Sequence, residues 1–580
     1  MARRGTAAGG LGELPRPPAV PLLRLLFFTL AVVSLVCGYV GLAAYIREVG
    51  GYSHHPLDLL YFDFQLFALS SPPLGAGGPY PLALDIARFG APAVTVYALF
   101  EAGRLLFATE LRRLRTRNAR GHVVVCGDTL VAGTLTRRLR AAGERVVVVP
   151  SDAVASEPGP LRADGGGARD PDVLRAAGVG LARALYACTD DSAANTAIAL
   201  AAARPRQGRP PLAVYAQVAD PEVCAALQAR LISTPASPGV RLDFFNVDDL
   251  AARKLVAQDP LDRPRGNPPR VAVLGATAFG RAVLVELARE WRLRDPGGAL
   301  LPVTVIDPDA TETVGRLAER YPFLTRVCRM TPHDDDLDEL IAGAPVGPAP
   351  DRLYICYDDE QAALKAALTA EHLWPGGSGS VVVRLDRLAS LRAAFDGGDQ
   401  VLDGLSGTLR LFGVVHAACD PALIGDDLVE RLARVIHERY AVDVARRGAA
   451  ARDNPALVPW HELPESLRQA NRAQAGDIGR KLRAVGCVLS PRVGPAPEHR
   501  LAENDIERLA VMEHERWLAD RASTGWRYAD ERDDTRRLHP AMATWSDLRD
   551  DMRTRNRDEA RQLPVILADA GFRIVRQRSG

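Results

Sequence analysis

Twice in this chain a short apolar run ends in a glycine turn and passes straight into a helical pattern, a unit that suits a parallel sheet. The first instance is VVVCGDTLVAG (Val123–Gly133), continued by TLTRRLRAAG (Thr134–Gly143) and a second apolar run, RVVVV (Arg145–Val149). Neither run shows the alternation of a half-buried strand, so both faces must be covered, as helices cover a parallel sheet. The stretch closes with ALYACTDDSAANTAIAL (Ala184–Leu200). From Arg270 the same order returns: VAVLGATAFGRAVLVELARE (Val271–Glu290), VTVIDPD (Val303–Asp309), LYICYDDEQAALKAAL (Leu353–Leu368) and VVVRLDR (Val381–Arg387). At 580 residues the chain exceeds what one core serves, so several domains are expected.

In a nucleotide-binding unit of this kind the GxGxxG glycines have distinct tasks. The first makes the tight turn, the second lets a pyrophosphate approach the backbone, and the third packs helix on strand. The first copy offers Gly127, Thr129 and Ala132, with Pro150 and Ser151 where a ribose-binding acid belongs and Asp152 just beyond. It reads as mainly structural. The second offers Gly275, Thr277 and Gly280, with Asp307 at a strand tip: a helix N-terminus for phosphate and an acid for ribose. Gly280 and Asp307 are far apart for the fingerprint, with an insertion near Arg294–Leu301. The candidate cofactor-binding residues are therefore Gly275, Thr277, Gly280 and Asp307, then Gly127 and Thr129, and the expected cofactor is NAD(H) or an adenine nucleotide. The alternative is a degenerate unit that only packs against its twin. No convergent His, Lys or Tyr set accompanies either loop, so no enzyme is expected. Eight cysteines form no CxxC pair, which points to reduced, buried thiols and no metal site. A net charge of +1 gives no field for nucleic acid.

Leu25–Ile46 is 22 residues without a charge. At about 1.5 Å per residue it spans a hydrocarbon layer of about 30 Å. It is long for a signal peptide, and no cleavage site clearly follows. A second apolar segment, Phe89–Ala108, carries Glu101 and Arg104, three apart on one helix face, either paired or already at the headgroups. Arg112, Arg113, Arg115, Arg117 and Arg120 follow it, and Arg3, Arg4, Arg16 and Arg24 precede the first span, whereas the hairpin between carries only Arg47 and Arg88. This asymmetry places both termini in the cytoplasm of a multi-pass cell-membrane protein. Met1–Pro21, rich in Arg, Gly and Pro, reads as disordered. Asp58–Gly75 is apolar enough to re-enter the membrane, and its end supplies the pore candidates Ser70, Ser71, Pro72, Pro73, Leu74 and Gly75. No TVGYG-like run encodes a ring of ion-stripping carbonyls. A hairpin without a pore is the other reading.

The last 150 or so residues repeat themselves. His-Glu-Arg occurs at 437 and 514; Trp460 and Trp545, and Asn471-Arg472 and Asn556-Arg557, are each offset by 85. The first offset is 77, so the second copy gains about eight residues near Trp526–Asp533. Such self-similarity marks one supersecondary unit used twice. His514, Trp517 and Arg521 share a helix face. With Trp526, Arg527, Asn556 and Arg557 they form a candidate ligand-binding set, able to stack a base and hold a phosphate. The plainer reading makes Trp517, Trp526 and Trp545 core residues, and that reading is preferred for the aromatics.

VVVCG, DPDVLRAAGVGLARAL (Asp170–Leu185), TDDSAAN (Thr189–Asn195) and VYAQVADPE (Val214–Glu222) resemble the RCK domain, the regulator of potassium conductance built on the TrkA N-terminal, Rossmann-like fold. Two spans flanking a re-entrant segment resemble a potassium-channel pore subunit in layout. HERW (His514–Trp517), GWRYADERDD (Gly525–Asp534), HPAM (His539–Met542), NRD (Asn556–Asp558) and AGF (Ala570–Phe572) resemble the ryanodine receptor repeat, the RyR domain. The resemblances imply a multidomain chain: a disordered 1–21, an α-helical two-span region at 22–118, two α/β Rossmann-like RCK domains at 119–262 and 263–424, and all-α tandem RyR repeats at 425–496 and 497–580. They imply a ligand-regulated, channel-like membrane protein, a homo-oligomer and by resemblance a tetramer, sensing a nucleotide or other small ligand. The alternative is a non-conducting, membrane-tethered sensor that acts through a partner or by disrupting the membrane.

Overall fold

The computed structural model describes residues 19–117, 120–151, 171–203, 211–234, 239–261, 267–294, 298–343, 348–373, 380–386, 409–425, 427–446, 456–494, 499–533 and 535–577. Most of the expected disordered N-terminus, and Asp152, lie outside these residues. The chain divides into two compact units, Met1–Arg115 and Thr116–Gly580.

The smaller unit holds α1 (Ala19–Val49), α2 (Pro56–Phe67), a tight turn at Pro72–Ala76 and α3 (Leu82–Arg117). Among the described residues, two helical stretches are long and apolar enough to cross a membrane, Leu23–Val49 and Leu82–Gly103. The second starts at Leu82 rather than at the expected Phe89. The His55 ring caps α2 by accepting from Leu57 N, and Pro56 sits in the first turn, where a missing N–H costs nothing. Leu42, Tyr45, Ile46, Leu59, Leu66, Leu84, Ala87 and Ala91 form the core. At Gly41 a Cβ would lie 2.5 Å from the Leu84 backbone nitrogen, so α1 meets α3 backbone to backbone there. Glu101 accepts from Arg24 of α1 at 2.6 and 3.1 Å, a partner that the sequence spacing did not single out. The side chains of Arg104 and the arginines that follow it on α3 lie outside the described residues.

The larger unit contains two all-parallel sheets. In the first, β1 (Val123–Cys126), β2 (Val146–Val149), β3 (Ala184–Ala187), β4 (Leu212–Gln217) and β5 (Val240–Phe245) lie in the order β2-β1-β3-β4-β5. In the second, β6 (Val271–Leu274), β7 (Leu301–Ile306), β8 (Cys328–His333), β9 (Arg352–Ile355), β10 (Ser380–Arg384) and β11 (Leu409–Phe412) lie in the order β11-β10-β9-β6-β7-β8. In each copy the order in which strands are added reverses beside the glycine turn, between β1 and β3 and between β6 and β9. Pro332 is tolerated in β8 because that strand is an edge.

The two sheets pair within one chain through exchanged helices. The helix Val247–Gln258 after β5 packs on Ala278–Arg294 of the second copy, and the short helix Val414–Ala418 after β11 packs back on Val247–Gln258 and on Leu130–Ala141 of the first. One apolar core therefore runs through both, with Val123, Tyr186, Phe245, Leu250 and Ala251 alongside Val271, Phe279, Val283, Phe412 and Val414. Burial of each large side chain contributes about 1.5–3 kcal/mol. All eight cysteines are free and seven are buried. Burial pushes the Cys126, Cys328 and Cys419 thiols up to about 12.

The C-terminal region is helical, with two helix pairs closed by one two-stranded ribbon. Asp427–Arg446 pairs with Glu465–Gly476, and Glu503–Ser523 with Asp550–Asp569. The ribbon joins β12 (Cys487–Pro491) to β15 (Phe572–Arg576) antiparallel, with Leu489 opposite Ile574. Those two residues are 85 apart, the repeat offset, so the internal two-fold axis of the repeat passes between them.

Candidate functional site

The glycine turns show how each copy fills its own phosphate position. Gly127 has φ +124°, and a Cβ there would lie 2.3 Å from the Cys188 carbonyl oxygen, so only glycine fits. Thr129 Oγ1 donates to that same carbonyl at 2.8 Å and accepts from Ala132 N at 3.1 Å. The second copy repeats the device. Gly275 has φ +85° and faces Tyr357; Thr277 Oγ1 donates to Cys356 O at 2.6 Å and accepts from Gly280 N at 3.3 Å. At Gly280 a Cβ would meet the Gly275 carbonyl at 2.2 Å. In each copy a threonine hydroxyl takes the helix N–H that a phosphate would use, and ties the turn to the neighbouring strand. Asp307 is also engaged: one oxygen accepts from Ala276 N at 2.7 Å and the other from Asp309 N at 3.1 Å.

The open space lies beside the first of these turns. A cleft of about 540 Å³ opens between the carboxyl ends of the two sheets. Thr129, Thr189, Asp190, Ser192, Asn195 and Gln217 line one wall; Asp358, Asp359, Glu360, Arg384 and Asp386 line the other. Its walls are braced. Asn195 Nδ2 donates to Thr189 O and Gln217 O, both at 3.0 Å, joining the ends of β3 and β4. Glu360 accepts from Asp386 N at 2.6 Å, and Asp386 accepts from Val415 N at 2.8 Å. Arg384 reaches Asp358, Asp248 and Asp386. Five lining carboxylates against one guanidinium make the cleft acidic. The Asp248 carboxyl is pushed up to about 6 by burial, against the pull of Arg384. The sequence carries a signal for this site, the Asp-Asp pair repeated after β3 and β9, but it registered only as a mark of duplication. Among the described residues no group of three or more His, Cys, Asp or Glu is placed to hold a metal ion.

In the C-terminal region the repeated residues form the same latch twice. In the first copy Glu430 accepts from Trp460 Nε1 at 2.8 Å and Arg472 Nε at 2.6 Å, while His437 Nε2 meets Val458 O at 2.8 Å. In the second, Glu507 accepts from Trp545 Nε1 at 3.1 Å and Arg557 Nε at 2.6 Å, while His514 Nε2 meets Ala543 O at 2.8 Å. Asn471 and Asn556 each donate to the carbonyl four residues back. The candidates Asn556, Arg557 and His514 thus brace the fold. Trp517 and Trp526 do not join the core as preferred for them; both are half-buried, ringed by His539 and covered by Arg521 at 5.8 and 4.9 Å. Arg527 is exposed on the short strand Arg527–Tyr528. At the two latches, Trp460 is buried and Trp545 packs against the same core.

A family model of the TrkA-N domain matches residues 123–238, and one of the RyR domain matches residues 499–576. The chain carries a TrkA-N domain and an RyR domain. Among solved structures, the GsuK channel is 18% identical, covering 69% of this chain and 98% of that one at a TM-score of 0.34. GsuK bound to ADP is 18% identical over 70% and 98% at a TM-score of 0.35, and the GsuK channel bound to NAD is 14% identical over 70% and 84% at 0.35. The TrkA-N domain contributes β1 to β4 and one cleft wall; the RyR domain contributes the second latch and β15.

The hairpin preceding the TrkA-N domain places Ser70–Gly75 on the tight turn after α2. Three carbonyls along this stretch are capped by tyrosines of the same unit: Tyr52 donates to Pro72 O at 3.0 Å, Tyr80 to Leu74 O at 3.0 Å and Tyr45 to Gly77 O at 2.8 Å. Ser71 Oγ donates to Phe62 O at 3.3 Å.

Proposed function

We propose that the chain is a ligand-regulated membrane protein of potassium-channel type, in which the paired sheets sense a small ligand and the two-span hairpin responds. The cleft with one wall from each copy carries this reading. A ligand shifts an equilibrium only by binding one arrangement better than another, and a site shared by two bodies meets that condition. The lining sets the ligand class. Five carboxylates repel phosphate, and Thr129 and Thr277 already cap the helix N-termini. NAD(H) or an adenine nucleotide therefore enters by ribose and base, whose hydroxyl and amino donors suit carboxylates. We infer a binding and not a catalytic role, because no convergent His, Lys or Tyr set accompanies either glycine turn. Conduction needs several copies, since two spans and one hairpin enclose no pore; a homotetramer in the cell membrane, with both termini cytoplasmic, is the arrangement we infer.

The test is a thermal-shift screen of the full chain in detergent against NAD⁺, NADH, ATP, ADP, AMP and adenosine. Binding at about 100 times Kd stabilises by about 2.7 kcal/mol. Asp190→Asn removes an exposed lining carboxylate and weakens binding about tenfold, as expected for one charged hydrogen bond. No shift with any of these compounds sinks the nucleotide reading.

A second reading, a non-conducting tethered sensor that works through a partner or by disrupting the membrane, is favoured by the tyrosine caps. The carbonyls of Pro72, Leu74 and Gly77 accept from Tyr52, Tyr80 and Tyr45 of the same unit, which occupies groups that an ion path would use. Current across a planar bilayer separates the two. Substitutions across Ser70–Leu74 change that current if the turn lines the path, and leave it unchanged if not.

A further inference from the structure

A smaller cavity, of about 50 Å³, lies among helices of the two copies and of the C-terminal region. Arg253 comes from the helix Val247–Gln258, Arg281 and Arg289 from Ala278–Arg294, Arg320 from the end of Ala310–Arg320, and Arg431 from Asp427–Arg446; Ala570, the cap of Asp550–Asp569, closes it. Five guanidinium groups line it with two carboxylates, Asp249 and Glu286; Asp249 pairs with Arg431 at 3.6 Å, Arg289 reaches Glu438 at 3.2 Å, and Arg281 donates to the Ala276 carbonyl at 2.9 Å. Arg253 is 2% exposed. Glu286 is divided between Arg289 and Arg434, each at 3.8 Å. Arg320 points its ion pair outward, to Glu222 at 3.3 Å. Burial lowers the nearby Arg434 to about 10, with the Arg253 charge the next cause.

Arg253 and Arg289 are buried and the other three arginines half-buried, and an excess of cation removed from water is costly unless an anion joins it. The space holds a few water-sized positions, too little for a nucleoside and enough for one tetrahedral oxyanion. Guanidinium forks match such an oxyanion in pairs. We infer that this cavity binds a phosphate-type oxyanion, either free orthophosphate or the phosphoryl end of a larger ligand. Its occupancy ties the two copies to the first C-terminal helix pair, because the arginines reach it from these three modules and only the converged arrangement offers them together. The site is separate from the acidic cleft, and the inference does not depend on what that cleft binds.

The experiment titrates the full chain in detergent with sodium phosphate against sodium chloride at equal ionic strength, following the melting temperature. Phosphate is expected to raise it saturably, with an apparent affinity at least tenfold weaker in Arg281→Gln and in Arg320→Gln, partly kept in Arg281→Lys and unchanged in Asp190→Asn. Arg320 ends a helix, so its variant keeps the test open if Arg281→Gln does not fold. Competition by AMP against orthophosphate assigns the site to a phosphoryl group; saturation by orthophosphate without such competition assigns it to the free ion. A phosphate curve that superimposes on the chloride curve, or one that is the same in both arginine variants as in the parent chain, overturns the inference.

Discussion

The threonine in the middle of each glycine turn decides what the turn can do. A glycine there would leave helix N–H groups open to a phosphate, whereas Thr129 and Thr277 satisfy them from within and tie the turn to the adjacent strand. The latch carboxylates work in a comparable way at the other end of the chain. Burial alone would raise Glu430, yet its hydrogen bonds from Arg472 and Trp460 prevail and hold it below the ordinary carboxylate value; Glu507 is lowered chiefly by its hydrogen bond from Arg557. A depressed folded value gives stability that is present above the unfolded value of about 4.3 and is lost as pH falls through the folded one. Glu430→Gln is therefore expected to lower the melting temperature at pH 7 by removing a charged hydrogen bond of about 1.5–3 kcal/mol, and to flatten the fall between about pH 5 and 3. Circular dichroism melts across that range check it; parallel curves for parent and variant would mean that the latch does not hold the helix pair.

At the scale of elements, the C-terminal duplication is closed by a ribbon that neither half can form alone. Leu489 and Ile574 face each other across it, 5% and 4% exposed. Truncating either to Ala is expected to cost about 2–4 kcal/mol. Because they share one contact, the double variant costs less than the sum, a shortfall of about 0.5 kcal/mol or more in a double-mutant cycle. Additive losses in chemical denaturation would separate the two sites. The Rossmann-like sheets use the same economy: a helix exchanged from each copy covers the other.

Across the whole larger unit, that exchange makes the two sheets one cooperative body. Leu250, fully buried on the helix that crosses between copies, touches the shared core. Leu250→Ala is expected to cost about 2–5 kcal/mol and to lower the unfolding midpoint of both copies together. Fluorescence of Trp291, on the second copy's helix, and exchange of backbone amides in β1 of the first would then shift in concert. Loss confined to one copy would show that the sheets unfold independently. Both candidate sites depend on this pairing, since the acidic cleft and the arginine cavity each take walls from both copies.

The sequence by itself determined the architecture: two long apolar helices, two parallel sheets entered through Gly127 and Gly275, and a helical C-terminal duplication. Each follows from local pattern, whether a charge-free run, an apolar strand before a glycine that needs positive φ, or motifs recurring at a fixed offset. Chemistry at the individual sites was less legible. Arg557, Asn556 and Asp307 have the right residue types for ligands, yet each is engaged by its own chain, because a side chain's partner is chosen in three dimensions. The repeated Asp-Asp pairs looked like a mark of duplication until the sheets brought them to one cleft. Trp460 and Trp545 sit at equivalent places in the repeat, while Trp517 and Trp526 stay half-buried because the ring of His539 and the Arg521 guanidinium cover them instead of the core. The arginines of the small cavity are scattered from 253 to 431 and carry no motif. Tertiary structure alone gathered them, since it is the packing of helices from both copies and from the C-terminal region that brings these side chains to one cavity.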